Sequence, residues 1–168
     1  RNYSVYFDLF NEKKWNQFQA EYRAEQEQQK KIERMTVDFF QMGEMQPERN
    51  HNFNSEKCWV DEFKHKKYRE ADRGGWFSFN MGVHAGEPMA LAMEYWGGFP
   101  GSRTFDILVN DTKIATENNS NVRPGEFFQK VYKIPDRLTI NGGKIKVKLV
   151  PHDGHRAGPV FSVRTLKR

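Results

Sequence analysis

Cysteine is nearly absent from this chain. Cys58 is the single one in 168 residues, so no internal disulfide can form and no cluster of several thiolates can hold a metal. Long apolar runs are missing as well. No stretch approaches the roughly 18 apolar residues of a membrane span, and no leader pattern of charged, apolar and small residues is present. The first residue is Arg1 rather than Met, which reads as a processed protein or a piece excised from a longer one. There is no internal repeat and no low-complexity tract. Charge of one sign is not in large excess: 27 basic and 22 acidic residues are mixed along the sequence, for a net charge of +5. A basic balance raises nucleic acid as a partner, but no recognition motif accompanies it, so neither nucleic acid nor membrane is expected.

Aromatic residues are abundant instead, at 14% with 14 Phe, which suits a sandwich core or a sugar-stacking surface. A mean hydropathy of −0.89 indicates a well-solvated exterior. Residues 1–10 read as a short strand or extended tail. Asn11 is a candidate N-cap for a polar helix over Glu12–Arg34, with Trp15, Phe18, Tyr22, Ile32 and Met35 on a stripe. The Trp15–Tyr22 end is expected to pack on a neighbour. TVDFF (Thr36–Phe40) has the β-branched and aromatic character of a strand. Gln41–Gly74 reads as a long irregular stretch, and its basic run KHKKYR (Lys64–Arg69) as a solvated loop.

From Trp76 onward, period-two alternation dominates. Strands are predicted at Met89–Trp96, Thr104–Asn110, Phe127–Ile134, Lys144–Val150 and Pro159–Thr165. The clearest is KIKVKLV, with Ile145, Val147 and Leu149 inward and Lys144, Lys146 and Lys148 outward, a lysine row that would also suit a sheet edge. Asn110-Asp111 and Asn141-Gly142-Gly143 supply turn chemistry. The pattern predicts a mainly β fold: an antiparallel β-sandwich of jelly-roll or galactose-binding-like type, preceded by one long N-terminal α-helix. The boundaries are 1–35 for tail and linker helix and 36–168 for the sandwich.

Several constellations have candidate chemistry. Glu44 and Glu48 flank Pro47, and paired carboxylates are the tools of glycosidases. With Pro47 breaking any helix, the simpler reading is that they and His51 bond backbone amides or a basic partner and lock the segment, with structural calcium as an option. His152, Asp153 and His155 hold metal-ligand chemistry, but a turn at Asp153-Gly154 accounts for them. Cys58 has no arranged base and reads as inert. Three Asn-x-Ser/Thr sequons, at Asn2, Asn110 and Asn118, read as turns. Trp76, Tyr95, Trp96 and Phe99 are candidate sugar-stacking rings, with Glu94, Arg103 and Asp106 to bond hydroxyls. Alternation sets Trp76 against Phe79 and Tyr95 against Trp96 on opposite faces.

As a set, GEMQPERNH (Gly43–His51), YREADRGGWFSF (Tyr68–Phe79), RTFDI with IATE (Arg103–Glu117) and GPVFSVR (Gly158–Arg164) carry a resemblance. The chain resembles the C-terminal accessory domain of glycoside hydrolase family 127, the β-L-arabinofuranosidase-like proteins. One departure is Pro159, where the family usually has a second Gly, so no role is transferred to the last loop. The resemblance implies a β-sandwich without catalytic residues, because the family's cysteine nucleophile, acid/base carboxylate and zinc-thiolate cluster belong to an upstream helical barrel. It implies the catalytic domain of the same parent chain as partner, and an exported bacterial parent, periplasmic or at the cell surface. The alternative function is a carbohydrate-binding module contacting plant-type, arabinose-containing glycans through exposed aromatics. No cofactor beyond the optional calcium is expected.

Overall fold

A computed structural model describes the backbone of residues 2–99, 101–118 and 123–168, and the side chains of residues 16, 19–99, 101–118 and 126–168. The chain divides into two units, Arg1–Met35 and Thr36–Arg168. The first is a single helix, α1 (Asn2–Met35). It runs through the segment expected to be extended and past the expected cap at Asn11. The physical reason is the absence of any Gly or Pro before Thr36, which leaves nothing to stop the helix early. Residues 19–31 are all exposed and Tyr22 is 52% exposed. The side chains of Trp15 and Phe18 lie outside the described residues.

Among its described residues the second unit holds nine strands, one short helix and a 3₁₀ turn. In order they are β1 (Thr36–Gln41), α2 (Met45–Asn50), β2 (Asn54–Phe63), β3 (Lys66–Val83), β4 (Met89–Gly97), β5 (Thr104–Val109), β6 (Thr112–Asn118), β7 (Arg123–Ile134), β8 (Gly143–Pro151) and β9 (Ala157–Lys167). The stretch expected to be irregular therefore holds a helix, a full strand and the first half of another. Pro47 sits in the first turn of α2, where its missing N–H costs no intrahelical bond. The β2–β3 hairpin turns on Lys64 and His65, at φ of 50° and 67°. That is the left-handed backbone of a tight hairpin turn, made here without the Asn or Gly that usually signals it. Asn110-Asp111, at φ of 49° and 68°, joins β5 to β6 in the predicted way.

All strand pairs are antiparallel, in the order β6-β5-β8-β3-β9-β4-β7, with β1 added on β9 and β2 on β3. The 18-residue β3 ties the fold together. Its first half pairs with β9 (Arg69 with Val160, Ala71 with Ala157), and its second half pairs with β8 from Phe77 to Val83. The two halves of the sheet enclose a core in which Phe77, Phe79 and Met81 of β3 meet Leu91, Met93 and Tyr95 of β4, Phe105 and Ile107 of β5, and Val147 and Leu149 of β8. Each of these is at most 1% exposed. The outermost strands, β6 and β7, come back together through Glu117, which accepts from Tyr132 Oη at 2.7 Å and pairs with Lys130 Nζ at 2.8 Å. The lysine row of β8 does not blunt an edge, because β8 lies between β5 and β3.

Where β3 passes from one neighbour to the other, Gly75 lies against β2. A Cβ there would come within 2.5 Å of the Glu56 carbonyl and 2.7 Å of that of Lys57. Both obstacles are backbone. Gly75→Ala is therefore expected to lower stability by about 1–3 kcal/mol. Urea unfolding checks it, and an unchanged midpoint would mean that the β2 bulge yields to the methyl group.

Candidate functional site

Alternation along β4 puts Tyr95 in the core and Trp96 on the outward side. There Trp96 meets a second cluster of rings. Phe63 and Tyr68, from either arm of the β2–β3 hairpin, fold over the sheet onto Trp96 of β4 and Phe161 of β9, with Phe99 and Phe127 alongside. Ring centroids lie 5.0 Å apart for Phe63–Trp96, 4.9 Å for Trp96–Phe127, 5.3 Å for Tyr68–Phe161 and 5.1 Å for Phe63–Phe99. Trp96, Tyr68 and Phe161 are buried, while Phe63, Phe99 and Phe127 are half-buried and form the accessible margin.

Charged groups border these rings. Lys64 Nζ lies 4.5 Å from the Trp96 ring centre and Lys66 Nζ lies 4.3 Å from that of Phe127. Lys66 also pairs with Glu94 at 2.9 Å. Arg103 lies over Phe99 at 5.3 Å and forms a buried ion pair with Glu70. Burial pushes the Glu70 carboxyl above its ordinary range, against the pull of the Arg103 guanidinium. Half-exposed ring faces with a carboxylate and ammonium groups at their margin have the chemistry to stack on a sugar's C–H face and bond its hydroxyls. Further along the same outward side, strand register sets Phe39, Arg164, Ala92 and Val131 in one row across β1, β9, β4 and β7. Phe39 and Val131 are 41% and 55% exposed.

The sequence candidates are dispersed by this arrangement. Trp96 and Arg103 share the ring cluster. Tyr95 does not: it is fully buried, and its hydroxyl bonds that of Tyr132 at 2.9 Å. Desolvation raises both phenols, so they stay protonated. Trp76 and Asp106 lie on the other layer, on β3 and β5. Asp106 accepts from Thr116 Oγ1 at 2.6 Å and lies 2.8 Å from His152 Nε2. Burial is the largest single influence and raises its carboxyl, but these bonds and the nearby Lys113 charge together outweigh it and hold the group below its usual range. Missed by sequence reasoning were Phe63, Tyr68, Phe127, Phe161, Lys64 and Lys66. The available signal was the alternation of WVDEF and KKYREA on either side of Lys64-His65, which reads as a hairpin once the turn needs no Asn or Gly.

Glu48 and His51 are bonded into the surrounding structure, whereas Glu44 is held more loosely. Glu48 takes Arg69 in a two-pronged pair, 2.7 Å at each oxygen, and accepts from Gly43 N at 3.2 Å. Glu44 instead faces Lys67 at 3.4 Å, so the two carboxylates do not converge as acid and base. His51 Nδ1 lies 2.7 Å from the Pro47 carbonyl and Nε2 lies 3.1 Å from Asp38, with its ring stacked on Phe40. At Asp153-Gly154, His155 N donates to His152 O at 2.9 Å, closing the predicted turn. Among the described residues no three His, Cys, Asp or Glu side chains gather as a metal site, so the calcium option finds no such cluster there.

Two expectations follow. Arg103→Met strands the buried Glu70 carboxylate and is expected to cost about 3–5 kcal/mol, whereas Arg103→Met with Glu70→Leu costs far less; urea unfolding of both variants is the check, and equal losses would refute a desolvated pair. Burial pushes the Cys58 thiol from 9.0 to about 11, which favours the unreactive protonated form. Alkylation by iodoacetamide at pH 8 should thus run about 100-fold slower than for a free thiol of ordinary pKa. Mass spectrometry of the time course gives the rate, and a normal rate contradicts the inert reading.

A search of curated proteins finds no match to this chain. Solved structures with the same fold do exist. A family 35 carbohydrate-binding module from Clostridium thermocellum superposes with a TM-score of 0.58 at 11% identity, covering 78% of this chain and 99% of that one. One from an environmental isolate gives 0.58 at 18% identity, covering 77% and 93%. The Podospora anserina GH26-CBM35 β-(1,4)-mannanase gives 0.53 at 11% identity, covering 77% of this chain and 27% of the larger enzyme. These likenesses establish the β-sandwich fold that the strand pattern predicts. Residues 31–166 match the profile of the Family of unknown function (DUF6805), and the chain belongs to that family.

Proposed function

We propose that this chain is a non-catalytic carbohydrate-binding module that engages glycans at the Trp96 ring cluster. The observation that carries the reading is the half-buried margin of Phe63, Phe99 and Phe127, bordered by Lys64, Lys66 and Glu94. It occurs on a fold shared with modules that are described as carbohydrate-binding. Buried Trp96 and Phe161 hold the margin rings in place, and Glu94 supplies an acceptor for sugar hydroxyls. In this reading the module is part of an exported glycoside hydrolase of β-L-arabinofuranosidase type, and arabinose-containing plant glycans are its ligands. The motif resemblance supports that parent. The exposed Phe39 and Val131 favour a second reading, in which this outward side docks on the parent's catalytic domain and braces it.

Calorimetric titration with arabinose-, mannose- and galactose-containing oligosaccharides separates the two. Under the first reading at least one series gives saturable binding, and Phe99→Ala weakens it by at least about tenfold, or 1.4 kcal/mol, with a melting temperature close to wild type. No heat with any oligosaccharide would leave only the docking reading. Cleavage of an arabinofuranoside by the chain itself would overturn both.

A further inference from the structure

The outward side of the other layer has a different chemistry. Ile145, Val147 and Leu149 of β8 are at most 1% exposed, so Lys144, Lys146 and Lys148 project from the opposite side. Register places them beside Gly82, Asn80 and Ser78 of β3, and sets Lys148 beside Leu108 of β5, which in turn stands beside Lys113 of β6. Successive lysines along β8 are about 7 Å apart, two strand rises. Trp76 stands at the end of the row on β3, half-buried, with Lys148 Nζ 4.6 Å from its ring centre and its Nε1 donating to Glu56 at 3.1 Å.

Among the described residues none of these four lysines has a salt bridge, in a chain that pairs many of its other charges. Asp106, the acid toward this side on β5, is already bonded by Thr116 and His152, and of the four lysines Lys113 is the one whose charge acts on it. Lys144, Lys146 and Lys148, three ammonium groups without a salt bridge along one strand, repel each other, and edge protection does not account for them because β8 is interior; Lys113 adds to them from the outermost β6. A bound anion would remove that repulsion.

We propose that the β3–β8–β5–β6 face binds a carboxylate-bearing polysaccharide laid along β8, with Lys144, Lys146, Lys148 and Lys113 contacting its carboxylates and Trp76 meeting a sugar ring at one end. The face favours this polyanion over others. No strand of this layer contributes to the exposed large apolar residues found among those described, so nothing inserts into a membrane. A single ring offers no run of stacking platforms for unpaired bases, and the lysine row lies along β8, an interior strand that does not protrude to enter a duplex groove. The contact is separate from the Trp96 cluster and stands whether or not that cluster binds neutral glycans.

The test uses the whole chain with galacturonate oligomers, in acid form and fully methyl-esterified, followed by calorimetry. The acid form is expected to bind, the ester to bind at least about tenfold more weakly, and the acid form to lose affinity as the salt is raised well above 0.1 M. Lys113→Gln, Lys144→Gln and Lys146→Gln combined should abolish binding, while Phe99→Ala leaves it unchanged. Equal binding of acid and ester overturns the proposal, as does wild-type affinity in the triple variant. So does equally tight binding of a single-stranded oligonucleotide or an anionic phospholipid vesicle at matched charge, which would reduce the face to a general polyanion contact.

Discussion

One strand belongs to both layers of this sandwich. β3 lies beside β9 at its start and beside β8 at its end. The switch is possible because Gly75 leaves room for the backbone of β2 at the crossing. Everything else is arranged around that strand. β1 takes the place beside β9 that β3 vacates, as its pairing from Thr36 to Gln41 shows. Asp38 of β1 then bonds back to Gly82 N at the far end of β3, at 2.9 Å, and faces His51. At the opposite end of the strand order, Glu117 fastens β6 to β7. The sheet thus closes almost completely on itself, which leaves few unpaired strand groups at its margins.

Because the strands alternate, filling one core leaves two outward faces with independent chemistry. On the β9–β4–β7 side the hairpin folds back and makes a second apolar cluster, so rings collect there. On the β3–β8–β5 side Lys144 and Lys146 remain exposed, with Lys148 and Asn80 half-buried beside them. The first face supports stacking with a few directed polar contacts. The second supports charge attraction that weakens with salt. A chain whose net charge is only +5 gathers three lysines without a salt bridge along β8, with Lys113 on the same side. That concentration is a property of the fold and is invisible in the composition.

Legibility in the sequence followed the range of the interactions. KIKVKLV and MALAMEYW displayed their buried and wet sides through alternation alone, since that depends only on neighbours two residues apart. The opposition of Tyr95 to Trp96 was readable for the same reason. Which outward rings meet was not readable. Trp96 gains Phe63 and Tyr68 from a hairpin about thirty residues earlier and Phe161 from the last strand, and no local pattern encodes that meeting. Arg103 offered itself as a polar contact for a ligand, yet tertiary structure assigned it to Glu70, 33 residues away. The α2 helix and the Lys64-His65 turn went unread because each lacks its usual local signal.

Residue order alone thus determined a mainly β unit behind a polar helix, the buried side of most strands, and the lack of a thiolate cluster. These depend on alternation, on helix-compatible residues and on a single cysteine, and none requires a partner distant in the chain. Tertiary structure alone decided that Glu48 pairs with Arg69 while Glu44 turns to Lys67, that Trp76 and Trp96 face away from each other on different layers, and that the lysine row lies mid-sheet. Those outcomes depend on which strands become neighbours, and pairing across long stretches of chain is settled by the closing of the core.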